Sequence, residues 1–322
     1  VFLARFDFWE IDPPFAVTIT SGVEVPVLSS IASGMMALTA IVFSLTFVFV
    51  ANVLHVVGNA GRKVIESMYP LSADDSSPSK KNENLRPRTL PLPPVTQTLC
   101  YFGGPAVVVE LHTHLLVALA RMQDALIEIE YAVGDVVADG SAVLHVRGAK
   151  KQISEAALRS AIVLGLERTI EQDPQYALRL LVDVGIKALS PAVNDPTTAV
   201  MALNQIEDLV GRIGRRQLDV GSASDKSGTV RLVYPTPTWE DIVSLALDEI
   251  RFYGANSYQV MRRLRALLSD LEEIVLPERR AAIQQQKARL ESTVRRTFGD
   301  AADLYETQQS DRQGIGLSRT VT

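Results

Sequence analysis

Between Glu24 and Arg62 the chain carries no Asp, Glu, Lys or Arg. A helix in water needs a polar face, so an uncharged stretch of this length is either buried all round or lies in hydrocarbon. Its densest part, Ile31 to Ala51, supplies the roughly 20 apolar residues that a helix needs to cross about 30 Å of hydrocarbon. Ser44 and Thr46 fit such a helix, because their hydroxyls can bond to carbonyls one turn earlier. A cleaved signal peptide would need a basic leading segment, and the leading flank is acidic, with Asp7, Glu10, Asp12 and Glu24 against Arg5. The run predicts a transmembrane helix over residues 27–51, with the lipid bilayer as its partner.

The flanks set a direction. Arg62 and Lys63 follow the run, with Lys80, Lys81, Arg86 and Arg88 beyond. Positive residues stay inside, so the C-terminal part is expected on the cytoplasmic side of the inner membrane and residues 1–26 outside. Residues 52–69 place Val53, Leu54, Val57, Val64, Ile65 and Met68 at helical spacing, which predicts an amphipathic helix at the inner interface. Residues 70–94 hold Pro70, Pro78, Pro87, Pro91, Pro93 and Pro94 without a periodic apolar face, and read as a linker. The chain opens on Val1 rather than Met, as a fragment would.

Residues 95–150 read as a small β-containing subdomain. Strands are predicted at Thr98 to Phe102 and Ala106 to Glu110 around Gly103-Gly104-Pro105, with a helix from Leu111 to Met122. A strand follows from Ala125 to Tyr131, then a turn-rich hairpin at 134–140 leading into Ala142 to Val146. The hairpin has the spacing of a lipoyl or biotinyl carrier but no lysine at its tip. Residues 151–322 read as a helical cytoplasmic domain with one strand, Thr229 to Tyr234. Asp173-Pro174 and Asp195-Pro196 each put an acidic cap before a proline at the first helical position. They predict helices over 174–189 and 196–213, and others follow at 238–253, 255–275 and 278–298. The fold class is therefore an α-helical membrane anchor plus an α+β, mostly helical soluble domain with a small β-hairpin and sheet portion.

The polar residues flanking these helix starts form the candidate site: Arg168, Asp173, Arg179, Asp183, Lys187, Asn194, Asp195 and Thr198. Arg179, Asp183 and Lys187 stand four apart, on one helix face. They read either as an ion-pair ladder between two helix caps or as a polar pocket for a small anionic ligand where helix N-termini meet. His112 and His114 could share a face only on a strand, so no metal site is assigned. Cys100 stands alone and can form neither an internal disulfide nor a thiolate metal site. The arginines of the C-terminal helices, Arg262, Arg263 and Arg265 among them, alternate with acids and read as a solvated surface. A formal net charge of −5 argues against nucleic acid as a partner. No phosphate-binding loop, nucleophile turn or zinc motif is present, and no cofactor is implied.

The stretch from Arg168 through Asp173-Pro174 and Ser190-Pro-Ala-Val-Asn-Asp-Pro196 to Ala199 resembles the signature block of a bacterial family of predicted membrane proteins, domain of unknown function 2254. Val42-Phe-Ser-Leu-Thr-Phe47 resembles that family's second span, and Asn52 to Ile65 resembles the stretch after its fourth. Gly134-Asp-Val-Val and Asp311-Arg-Gln-Gly-Ile-Gly316 also fit. The family usually has four spans and this chain has room for one, as if two had been deleted and the first lay before Val1. The resemblance implies a membrane protein and no known activity. Three readings follow: a ligand-sensing or interaction module, possibly homo-oligomeric; a regulatory part of a multi-span channel or transport component; and an enzyme using Asp183 or Asp195 with a nearby arginine.

Overall fold

The computed structural model describes residues 24–71, 92–218 and 220–315, with the side chains of 24–28, 40 and 42–47 excepted. The expected extracytoplasmic segment falls largely outside the described residues, as does most of the linker. Two compact units divide between Phe49 and Val50. The first is described from Glu24, where helix α1 (Glu24–Met68) begins. There Ile31, Met35, Met36, Leu38, Ile41, Val48 and Phe49 are all more than half exposed. Among the described residues no helix is long and apolar enough to cross a membrane. Nine of the 25 residues in the span expected over 27–51 have their side chains outside that set.

The second unit combines two sheets with a helical bundle. In the first sheet part are β1 (Val95–Cys100), β2 (Ala106–Leu111), α2 (Thr113–Met122), β3 (Leu126–Ile129), β4 (Val136–Val137) and β5 (Ala142–Arg147). Then come α3 (Glu155–Ser160) and β6 (Ile162–Gly165). The helices α4 (Pro174–Ala188) and α5 (Pro196–Ile213) follow, then β7 (Ser222–Ser224) and β8 (Val230–Val233). The bundle is completed by α6 (Trp239–Tyr253), α7 (Tyr258–Ile274), α8 (Arg280–Thr297) and α9 (Ala301–Gln308). One sheet has the order β1-β5-β3-β8-β7 and the other β4-β2-β6. All pairs are antiparallel except β3 and β8, where Ile127 faces Leu232.

The part beyond residue 151 thus holds three strands where one was expected. β6 contributes only four residues to an edge, and β7 is Ser-Ala-Ser, with no apolar alternation for a sequence pattern to reveal. β7 exists because the turn before β8 is fixed: the Asp225 carboxylate accepts from the amides of Ser227 (2.9 Å) and Thr229 (3.2 Å) and from Arg231 Nε (2.8 Å). The Ser227 hydroxyl and Arg231 hold this carboxyl well below the usual range. Helix α9 also went unpredicted: it is two turns long and buries one residue, Thr307.

Two apolar cores result. Ile127, Leu144, Val146, Leu116, Leu158 and Leu232 fill the sheet part, while Leu181, Leu203, Ile206, Leu209, Leu264 and Leu271 fill the bundle. Residues 52–69, expected at a lipid interface, instead add Leu54, Ile65 and Tyr69 to the bundle core, so protein covers this amphipathic face. Their approach to α5 is close: a side-chain carbon at Gly61 would lie 2.7 Å from Leu209 Cδ1 and 3.1 Å from Ala177 Cβ. The chain then stays pinned past the helix end, since the Gln217 amide donates to the Pro70 carbonyl at 2.9 Å.

Gly61→Val is expected to cost about 1–3 kcal/mol by overpacking this seam. Gly34→Val, with open space around the added carbon, should leave stability near that of the parent. Chemical unfolding of both variants in detergent, followed by circular dichroism, makes the comparison; equal stability would show that the close approach carries no energetic weight.

Candidate functional site

The structure sorts the eight candidate residues into separate clusters. At the start of α4, Asp173 is fully buried and accepts from the Tyr176 amide at 2.9 Å, as an N-cap should. Its other oxygen takes Arg168 Nε, and the Arg168 guanidinium lies 5.4 Å from the Tyr176 ring centre. Gly134 closes over this pair. Its φ of +94° is open to glycine at little cost, and a side-chain carbon there would overlap both Asp173 and Arg168. Neighbouring side chains extend the seam. Gln172 Oε1 accepts from the Leu111 amide (3.1 Å), its Nε2 donates to Glu110 (3.2 Å), and Gln175 Nε2 donates to the Tyr69 hydroxyl (3.4 Å). Residues 168–176 therefore join the β2 sheet, the turn at 134, the end of α1 and the bundle.

One turn further on, Arg179 pairs with Asp183 (Nε–Oδ1 2.8 Å) and reaches across to Glu249 of α6 (3.1 Å). Glu249 first, then Asp183, holds the guanidinium above its ordinary value against the opposing effect of burial. Lys187 is exposed and stands apart from this pair, so the expected three-residue ladder is a two-residue pair redirected onto α6. At α5, Asp195 caps the helix through the Thr198 amide (3.1 Å) and hydroxyl (2.6 Å). Asn194 sits before it at φ +47°, a conformation that asparagine tolerates. An apolar hollow of about 190 Å³ lies elsewhere, lined by Leu99, Tyr101, Phe102, Val143, Arg159, Ile162 and Leu164.

A further polar network escaped the sequence reading. Arg62 of α1 donates to Asp208 of α5 (2.7 Å), Gln205 (3.2 Å) and Asn59 (2.7 Å), while Arg212 bridges Asp208 (3.0 Å) and Glu66 (2.7 Å). Its only sequence trace is two pairs spaced four apart, Arg62/Glu66 and Asp208/Arg212. The arginines of α7 also depart from the expected solvated surface. Arg262 and Arg263 are 6% and 5% exposed and engage Glu306, and Asn204 and Glu207, respectively. His112 precedes α2 with its Nε2 3.5 Å from Glu110, and His114 lies within the helix. Among the described residues no group of three or more His, Cys, Asp or Glu side chains could hold a metal ion.

Asp173→Ala removes both a cap and the partner of Arg168, and should cost roughly 2–4 kcal/mol. Asp195→Ala removes a cap alone, about 1 kcal/mol; equal losses in urea unfolding would deny the Arg168 pair any net contribution. Desolvation pushes the buried Tyr69 hydroxyl up to about 12 from an ordinary 10.0. The folded chain holds this proton more tightly than the unfolded chain. The associated stability, roughly 2–3 kcal/mol, is therefore present below pH 10 and lost as pH rises toward 12. Tyr69→Phe should lack that part of the alkaline loss, and a variant that declines in parallel with the parent would exclude Tyr69 as its source.

Uncharacterized proteins of Mycobacterium bovis and of two strains of Mycobacterium tuberculosis are 33% identical to this chain over 141 residues. The match takes in 44% of this chain and 27% of each relative, so the chain matches little more than a quarter of their length. No solved structure matches it. A family model covers residues 47–270, well over half of the sequence, and the chain belongs to the family of predicted membrane proteins called domain of unknown function 2254.

Proposed function

We propose that this chain is a membrane-anchored interaction module, held by the apolar run of α1 and presenting the helical bundle and its sheets on the cytoplasmic side. The observation that carries the proposal is the α1–α5 seam: Leu54, Ile65 and Tyr69 belong to the bundle core, and the Arg62–Asp208–Arg212–Glu66 network fixes the segment there. A bundle that incorporates the segment following the apolar run is suited to holding partners at a set place beside the bilayer. The charge-free run from residue 25 to 61 and the family's membrane character support the anchor. The basic residues after the run support the orientation.

An interaction role is favoured over sensing of a small anion by the state of the candidate residues. Arg168, Arg179, Asp173, Asp183 and Asp195 are each engaged with protein partners, in separate clusters.

Membrane fractionation of the full chain tests this. The parent should resist alkaline carbonate extraction, and Ile41→Lys with Val48→Lys should release it, since each central lysine costs about 2.5–3.5 kcal/mol of insertion. The lone Cys100 should react with a membrane-impermeant maleimide in opened but not intact cells. Carbonate-soluble parent protein would sink the anchor, and labelling in intact cells would reverse the orientation.

A further inference from the structure

Three bundle helices share one polarity and two run against it. Gly58, Gly61 and Glu66 of α1 meet Gln205, Leu209 and Arg212 of α5 in turn, so these helices run parallel. Val50, which packs on the core, accordingly lies beside the N-terminus of α5. Asn204 and Gly211 of α5 meet Arg263 and Ile274 of α7, which sets α7 parallel as well. Near the end of α4, Gly185 meets Ile250 near the end of α6, and Gly314 packs on Val200 in the first turns of α5. One end of the bundle therefore gathers Val50, the α4–α5 loop, the α6–α7 loop and the 311–315 segment. The sheet part meets the other end of α4, where Gly134 covers Asp173.

The end that holds Val50 exposes several large apolar side chains. Val193 is 58% exposed, Phe252 66%, Tyr253 53% and Ile315 64%. The Phe252 and Tyr253 rings meet edge to face at 5.3 Å. We infer that this end is a bilayer-contact face whose apolar tips enter the headgroup layer. The inference rests on the membrane-anchored reading above and adds the surface that touches lipid.

Three observations select lipid as the occupant. The apolar run of the sequence reaches the bundle at this end, at Val50, so the bilayer is the covalently nearest medium. The exposed groups come from the α4–α5 loop, the end of α6 and the 311–315 segment, and their aromatic side chains are usual residents of the headgroup layer. Charge gives no competing signal, because exposed Lys187, Arg295 and Arg296 near this end are offset by Glu249, Asp300 and Asp303.

The test uses the full chain with Cys100→Ser, reconstituted in phosphatidylcholine nanodiscs. Single nitroxide labels are placed at Phe252→Cys, Val193→Cys and, in the sheet part, Met122→Cys. Collisions with oxygen should exceed those with a water-soluble nickel chelate at 252 and 193, with the ratio reversed at 122. Nickel-dominated collisions at all sites in retained protein would overturn the contact face and leave the anchor standing. Labels at 252 and 193 shielded from both reagents would overturn it in favour of a second copy. Protein that fails to enter nanodiscs would overturn the anchor and the contact face together.

Discussion

Helix α5 has to satisfy four neighbours at once, and the architecture follows from how it does so. Its apolar positions run almost all round: Ala199, Leu203, Ile206, Leu209, Val210 and Ile213 are buried, and even Gly211 faces Ile274 of α7. A helix apolar on all sides must be central. Here α1, α4, α6 and α7 enclose it, and small residues at the contacts, Gly58, Gly61, Ala177, Gly185 and Ala202, let the axes approach. Of the three charges of α5, Asp208 and Arg212 lie on the seam with α1 and pair there, while Glu207 pairs with Arg263 of α7.

Burial of this helix leaves its last carbonyls to be satisfied by protein, and Arg279 does so. Its guanidinium donates to the carbonyls of Ile213 (2.6 Å) and Arg216 (2.5 Å) while lying 5.4 Å from the Trp239 ring centre. A cation at a helix C-terminus is favoured by the aligned peptide dipoles, and burial pushes this group below its ordinary value. The same economy runs through the signature block. Asp173, Arg168 and Gly134 form one contact, with a glycine demanded both by a positive φ and by the side chains beneath it.

What could be read from the sequence was what is local. Asp173-Pro174 and Asp195-Pro196 announce helix starts, since cap and proline act within one turn, and both helices begin there. The apolar stripe of α7 was equally plain. Partner identity was not legible: Arg179 and Glu249 stand 70 residues apart, and nothing in Arg179–Asp183–Lys187 says that the arginine turns away from its own helix. Arg262 and Arg263 looked solvated because charge alternation cannot reveal that α5 and α9 cover them. Likewise, the apolar face of residues 54–69 has the same spacing whether lipid or α5 lies against it.

The parallel pairing of β3 with β8 has a consequence for the order of assembly. Ile127 faces Leu232, so the five-stranded sheet closes only after the α4–α5 hairpin has passed between its strands. During synthesis β3 can pair with β5 at once but keeps its other edge open, and unpaired edges invite foreign strands. Long-range closure of this kind is slow, because the entropy of the intervening loop is lost before the contact forms. A chain delivered to a membrane while its C-terminal half is still being made would therefore carry an unfinished sheet, and residues 222–233 complete it as an internal edge cover.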